Sequence, residues 1–206
     1  MELSISDITA RNIPGIGEKL KDAKAAIAGL GGLGSNIAVM LARIGVGKLF
    51  LVDFDKVEPS NLNRQHYNVS HLGMYKTDAL KSQIEKINPF IETETRCMEI
   101  TEENAAEIFK DYQIVCEAFD KPQNKAFLVN ALLQAGGKKI VAASGMTGFD
   151  SSNKIKTTRK FKNLYVCGDN RPPEQEGIGF MAPRVAICAG HQANMILRLL
   201  LGMEEE

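Results

Sequence analysis

The sequence predicts a doubly wound α/β sheet, mostly parallel, with antiparallel strands added near the C-terminus. Three observations carry this reading. Short apolar strands alternate with helical segments from Ala25 to Ala143. A glycine-rich turn separates the first strand from the first long helix. After Gly145 the alternation stops, and two β-like runs, a Gly/Pro/Glu stretch and one long apolar helix follow. Strands joined by helical crossovers lie parallel, with helices on both faces.

Each element has its own local signal. Residues 18–24 are charged and helix-like. Ala25-Ala26-Ile27-Ala28 reads as a short buried strand running into glycines. Leu33 to Ile44 reads as a helix with Ile37, Met40, Leu41 and Ile44 on one face. Lys48 to Asp53 is a second strand ending in an acid, and residues 55–72 are a polar loop. Helix returns from Lys76 to Ile87 and stops at Asn88-Pro89. Ile91 to Met98 alternates as a strand, and Thr101 with Asn104 opens a helix through Phe109. Gln113–Phe119 is a strand, Gln123–Gln134 a helix and Lys139–Ala143 a strand. Lys154 to Val166 is expected to form antiparallel strands. Residues 168–179 have no apolar stripe to pin them to a core, so they are expected to be mobile. Pro183 opens the final helix. The expected organisation is one unit over residues 1–206, with a core at 18–145 and the added strands, loop and helix at 146–206.

Composition excludes several classes. The 206 residues carry 25 basic and 25 acidic side chains, so no net field draws in nucleic acid or an anionic membrane. The opening MELSISD lacks the basic, then apolar, pattern of a secretory leader. Pro183–Leu201 is apolar but interrupted by His191, Gln192, Asn194 and Arg198, which fits a core-facing helix and not a membrane span. The cysteines at 97, 116, 167 and 188 form no CxxC pair, and His66, His71 and His191 add no ligand cluster, so no zinc is expected. Free thiols point to the cytoplasm.

The chemistry is concentrated at the strand ends. Gly29, Gly31 and Gly34 form a GxGxxG turn, with Gly32 beside them, between a strand and a helix. Gly29 permits the turn, Gly31 admits a phosphate to the backbone, and Gly34 allows close helix–strand packing. The helix N-terminus offers unpaired N–H groups to an anion. Asp53, ending the second strand, is placed to accept from a ribose hydroxyl. To this point NAD and ATP are equally served. Asn61, Arg64, Gln65 and Lys76 separate them, because a polyphosphate needs more positive charge than a pyrophosphate bridge. Asp120, at the end of the fourth strand, is a candidate Mg²⁺ carboxylate.

These pieces, GLGGLGS at 29–35, DFD at 53–55, SNLNRQ at 60–65, Lys76, Asp120 and MAPRVAICAG at 181–190, resemble the ThiF/MoeB/ubiquitin-activating family. Spacing is most similar to the short ThiF proteins of thiamine biosynthesis. The resemblance implies a Rossmann-like fold that binds Mg·ATP and adenylates the C-terminal Gly-Gly carboxylate of a β-grasp, ThiS-like sulfur carrier, releasing pyrophosphate. It places Asp53 on the ribose, Asn61, Arg64 and Lys76 on the triphosphate, and Asp120 on Mg²⁺. It also implies a homodimer in which Arg11 reaches the partner's ATP. The chain departs from many relatives in lacking two CxxC zinc pairs and a cysteine in the loop before the MAPR segment. Cys167 precedes that loop and is the remaining thiol candidate, whereas Cys188 lies in an apolar run and reads as buried.

Three other readings stay open. An NAD-dependent oxidoreductase would explain the glycines and Asp53 but not Arg64 and Lys76. A non-catalytic nucleotide-binding subunit would have lost part of the charge set, which here is complete. Activation of a carboxylate on tRNA would keep the chemistry, with Lys154, Lys156, Arg159, Lys160 and Lys162 as a basic run, although the neutral total charge argues against RNA.

Overall fold

A computed structural model describes residues 3–170 and 179–206. The expected mobility of residues 168–179 falls for the most part outside them. Among the described residues, one seven-stranded sheet forms in the order β3-β2-β1-β4-β5-β7-β6. Its strands are β1 (Lys24–Ala28), β2 (Lys48–Asp53), β3 (Glu92–Cys97), β4 (Ile114–Glu117), β5 (Lys139–Ala143), β6 (Lys156–Phe161) and β7 (Leu164–Gly168). Six of the seven are parallel, and only β6 runs against its neighbour.

The expected antiparallel pair is the β6–β7 hairpin, but β7 also pairs parallel to β5, with Ile140 opposite Leu164. The C-terminal segment therefore extends the main sheet. β6 closes the edge with Lys156, Arg159 and Lys160, charges that discourage strand addition.

Alternation along the strands feeds two cores. Ile27, Leu49, Leu51, Cys116, Val141 and Tyr165 face α3 (Gly32–Arg43), α4 (Lys76–Ile87) and α7 (Ala182–Leu200). Ala26, Phe50, Val52, Val115, Ile140 and Leu164 face α5 (Ala105–Ile108) and α6 (Pro122–Ala135). Two further short helices, α1 (Ile5–Ile8) and α2 (Ile16–Leu20), precede β1. Helical structure near residues 18–24 thus lies a little earlier than charge pattern alone suggests, because Lys24 already pairs with Lys48 in the sheet.

At the head of α7, Arg184 is buried, at 3% exposure. Its Nε donates to Thr147 O at 3.1 Å, and its Nη1 donates to Asp150 O at 2.7 Å and Ser151 O at 2.9 Å. Nη2 pairs with the equally buried Asp169 carboxylate. One guanidinium thereby ties the 147–151 loop and the exit of β7 to α7.

Removing the Arg184 guanidinium breaks a buried ion pair and takes the donors away from three loop carbonyls. Arg184→Met is expected to lower unfolding stability by about 3 kcal/mol or more, measured by urea denaturation. A loss within the scatter of exposed-site substitutions would show that the pair does not hold the loop.

Candidate nucleotide and carboxylate-activation site

The sheet order reverses direction between β1 and β4, the switch point at which open α/β sheets bind ligands. Gly29 N donates to Val52 O at 2.9 Å and Ala118 N to Ala28 O at 2.9 Å, so three strand ends meet there. A cleft of about 200 Å³ opens above them. Gly29, Gly31, Asp53, Asp55, Lys76 and Asp120 all contribute to its walls.

The glycines have different reasons to be glycine. Gly29 adopts φ +88°, and a Cβ there would meet Ala118 O at 2.9 Å. At Gly34 a Cβ would fall 1.8 Å from Gly29 O, so helix and turn touch through bare backbone. Gly31 is the opposite case. A methyl there would find nothing closer than 3.8 Å, its nearest neighbours being Asp120 Oδ1, which lines the cleft, and Gln65 Nε2, which does not. α3 begins at this point without a side-chain cap, which leaves its first N–H groups for an anion.

Asp53 is buried, and both of its oxygens hold backbone. Oδ2 accepts from Leu30 N at 2.6 Å and Oδ1 from Asp55 N at 2.7 Å. Burial pushes its pKa up, and the nearby Lys76 charge and these amides oppose that. Each carboxylate oxygen keeps a further lone pair, so a ribose hydroxyl remains admissible. Lys76 is 7% exposed and its Nζ lies 2.7 Å from Asp55 Oδ2. Lys76 is the first residue of α4, and its backbone N–H donates to Asp55 O at 2.9 Å.

The 60–66 loop is strapped to α3. Ser35 Oγ accepts from His66 N at 2.9 Å, and Asn36 Nδ2 donates to Arg64 O at 3.1 Å. Arg64 therefore lies over the start of α3, where a Cβ on Gly32 would stand 3.5 Å from its Nε. Arg64 Nη1 donates to Asn63 Oδ1 at 2.9 Å and Ser60 O at 3.2 Å. Gln65 is buried at 7% exposure, and its Oε1 finds no partner among the described residues. Asn61 is partly committed, since its Oδ1 accepts from Glu58 N at 3.1 Å and seals the 59–61 turn.

Asp120 is exposed. The cleft also contains Glu99 and Lys121, so four carboxylates stand against two lysines. A bare triphosphate would meet mostly like charge. A divalent cation offsets that, and Mg²⁺ that keeps its waters needs only one or two carboxylates from the protein. Among the described residues no group of three or more His, Cys, Asp or Glu could cage a metal alone. Asp120 fits a cation shared with phosphate.

Arg11 is not brought to this cleft. It is exposed, in the turn between α1 and α2. Its neighbour Asn12 donates to Ile44 O at 3.0 Å, at the far end of α3. A twelve-residue helix puts that end roughly 18 Å from the glycine turn. Arg11 is therefore not part of the cleft of its own chain.

Two ion pairs escaped sequence reasoning: the buried Arg184–Asp169 pair, and buried Glu117 with half-buried Lys125, whose Nζ lies at 3.1 Å. The available signal was a charge inside an otherwise apolar run, which requires a partner. The thiols are a clear case. Cys116, Cys167 and Cys188 are buried, and Cys97 is exposed. Burial pushes the Cys167 thiol up to about 11 and Cys188 up to about 12. Cys167 is therefore a neutral core thiol in this conformation.

Two expectations follow. Gly34→Ala should fail to fold or melt far below the native chain, whereas Gly31→Ala should melt close to it yet lose at least about tenfold in nucleotide affinity, because its methyl enters the phosphate path. Calorimetric binding and thermal melts of both variants check this, and equal damage from both would contradict it. A thiol-exchange reagent at pH 8 should modify Cys97 alone in the native protein and all four thiols in denaturant. Rapid native reaction at Cys167 would refute its burial.

Comparison with known proteins agrees with this geometry. The sequence model of the ThiF family matches residues 6–206. The chain is 34% identical over 193 residues to the adenylyltransferase and sulfurtransferase UBA4 of Saccharomyces cerevisiae, and 32% identical over 193 residues to that of Kluyveromyces lactis. Each alignment covers 90% of this chain but 43% of the relative, so the chain spans less than half the length of these curated relatives. Among solved structures, Escherichia coli tRNA N6-threonylcarbamoyladenosine dehydratase in complex with ATP superposes with a TM-score of 0.85 at 20% identity, covering 98% of both chains. E. coli MccB with MccA-N7isoASN superposes at 0.73 and 22% identity, covering 97% of this chain and 65% of that one. The structural likenesses establish the Rossmann-like fold. With the family match spanning nearly the whole sequence, the chain belongs to the ThiF family.

Proposed function

We propose that this chain is an adenylyltransferase that uses Mg·ATP to activate the C-terminal carboxylate of a β-grasp sulfur carrier of the ThiS type. The observation that carries the reading is the convergence of Lys76, Asp120 and the uncapped start of α3 on one cleft, with Arg64 held over the same helix end. The whole of residues 1–206 then acts as one adenylation domain, in the cytoplasm, where free thiols persist.

The chemistry asks little of acid–base groups. A carboxylate is already an anion at neutral pH. One of its oxygens attacks the α-phosphorus, the bond from that phosphorus to the bridging oxygen breaks, and pyrophosphate leaves with the electron pair. The barrier is charge repulsion and alignment. In this reading α3's first amides and Gly31 receive phosphate, and Asp53 orients the ribose. Arg64, Asn61 and Gln65 line the triphosphate path. Lys76 turns from Asp55 toward the phosphates. Bound Mg²⁺ would neutralise phosphate charge, with Asp120 as its protein ligand. Arg11 serves the site of a second copy, which makes the active form a homodimer.

The relatives named for sulfur transfer and the neighbour named for a tRNA substrate frame the choice of acceptor. Two members of the basic run are already occupied: Lys154 pairs with Asp150, and Arg159 with Glu204. That favours a protein acceptor over RNA. Since Cys167 is buried, the proposal stops at the acyl adenylate and assigns sulfur delivery to another component.

ATP–pyrophosphate exchange tests the reading, with a β-grasp carrier ending in Gly-Gly and a tRNA supplied separately. Exchange should require the carrier. Arg64→Ala and Lys76→Ala should each lower it by roughly 100-fold or more. Asp120→Asn should raise the Mg²⁺ concentration for half-maximal rate. Exchange with tRNA alone would reassign the acceptor, and unchanged rates in folded variants would remove those residues from the site.

A further inference from the structure

Arg64 does not stand alone over the helix. Its guanidinium carbon lies 5.1 Å from the ring centroid of Phe180, a half-buried residue just before α7. The same residue is anchored to the Arg64 loop a second time, because Asn63 Nδ2 donates to Phe180 O at 3.3 Å. On its other side Phe180 bridges in parallel to Gly148, and Gly148 N donates to Gly179 O at 2.9 Å. The 147–151 loop reached in this way is the one fixed by buried Arg184. It also carries Phe149, which is 93% exposed.

A contiguous path therefore runs from the buried Arg184 pair, through the 147–151 loop and Phe180, to the guanidinium over α3. Arginine is a long side chain with much rotamer freedom to lose. Its two hydrogen bonds go to Ser60 O and Asn63 Oδ1, both within its own loop, so they do not fix the guanidinium relative to the cleft. The Phe180 ring supplies that external reference. A cation over an aromatic face keeps its in-plane N–H donors directed outward, where they can bind phosphate oxygens in the planar, bidentate manner of guanidinium.

We infer that Phe180 is a positioning residue for phosphate recognition, its ring holding the Arg64 guanidinium in the orientation that a nucleotide polyphosphate requires. This rests on the reading of the cleft as an ATP site. The ring itself touches no phosphate. Its contribution passes entirely through Arg64, so the two side chains form one unit.

A double-mutant cycle on ATP affinity, measured by calorimetry with Mg²⁺ and without any acceptor, tests this. Phe180→Leu keeps apolar volume but removes the π face, and should weaken ATP binding roughly three- to tenfold, the range a cation–π contact supports. Phe180→Tyr should restore native affinity. In an Arg64→Ala background Phe180→Leu should cost nothing further, whereas a merely structural role would cost the same in both backgrounds. Equal losses in both backgrounds, or no loss in Phe180→Leu, overturn the inference while leaving the ATP site intact. A native chain that binds no ATP overturns the functional reading itself, and this inference with it.

Discussion

A buried carboxylate at the end of β2 holds the candidate-site end of the sheet together. Asp53 accepts from Leu30 N, inside the glycine turn, and from Asp55 N, in the segment that pairs with Lys76. Turn, strand end and cation are thereby one mechanical unit. The Tyr67 hydroxyl reinforces it by donating to Leu30 O at 2.9 Å. Without the carboxylate, Leu30 N and Asp55 N would lose their acceptor, and each loss of a buried partner costs about 1–3 kcal/mol. A residue read from sequence as a ribose ligand is thus first a structural clamp. The two roles are compatible, because the clamp is what fixes the carboxylate for a ligand.

The sheet supplies the second constraint. Parallel strands bring their C-terminal ends to one edge, so residues distant in sequence converge there: Gly31 after β1, Asp55 after β2, Asp120 after β4. α3 points its uncapped start at the same place. Carboxylates outnumber lysines in the cleft lining, which suits a ligand arriving with its own divalent cation better than a bare polyphosphate. In the proposed reaction catalysis is placement of charge, and the surrounding straps, Ser35 to His66 and Asn36 to Arg64, would serve that placement.

How much of this was legible depended on whether the signal was local. The bounds of β2, α4 and β5 coincide with the periodic runs in the sequence, since Asp53, Asn88-Pro89 and the flanking polar residues end them sharply. The glycine turn and its charged neighbours were readable because their spacing is itself the geometry. What local pattern could not carry was long-range pairing. The parallel docking of β7 on β5 depends on a crossover, and a hairpin reading of Lys154–Val166 sees only β6 with β7. α1 buries none of its residues, so no apolar stripe announced it. Burial of Cys167 and the four contacts of Arg184 are likewise properties of the packed fold, not of the segments that contain them.

The central claim is that a carrier carboxylate attacks the α-phosphorus of ATP at this cleft. Isotope tracing reads it most directly. A β-grasp carrier whose terminal carboxylate is labelled with ¹⁸O is incubated with the protein and Mg·ATP, the acyl adenylate is allowed to hydrolyse, and the nucleotide is weighed. Attack at the α-phosphorus followed by water addition at the carbonyl carbon leaves one carboxylate oxygen on the phosphate, so AMP should carry ¹⁸O and pyrophosphate none. Label in inorganic phosphate with ADP as co-product, or AMP free of label, would contradict it.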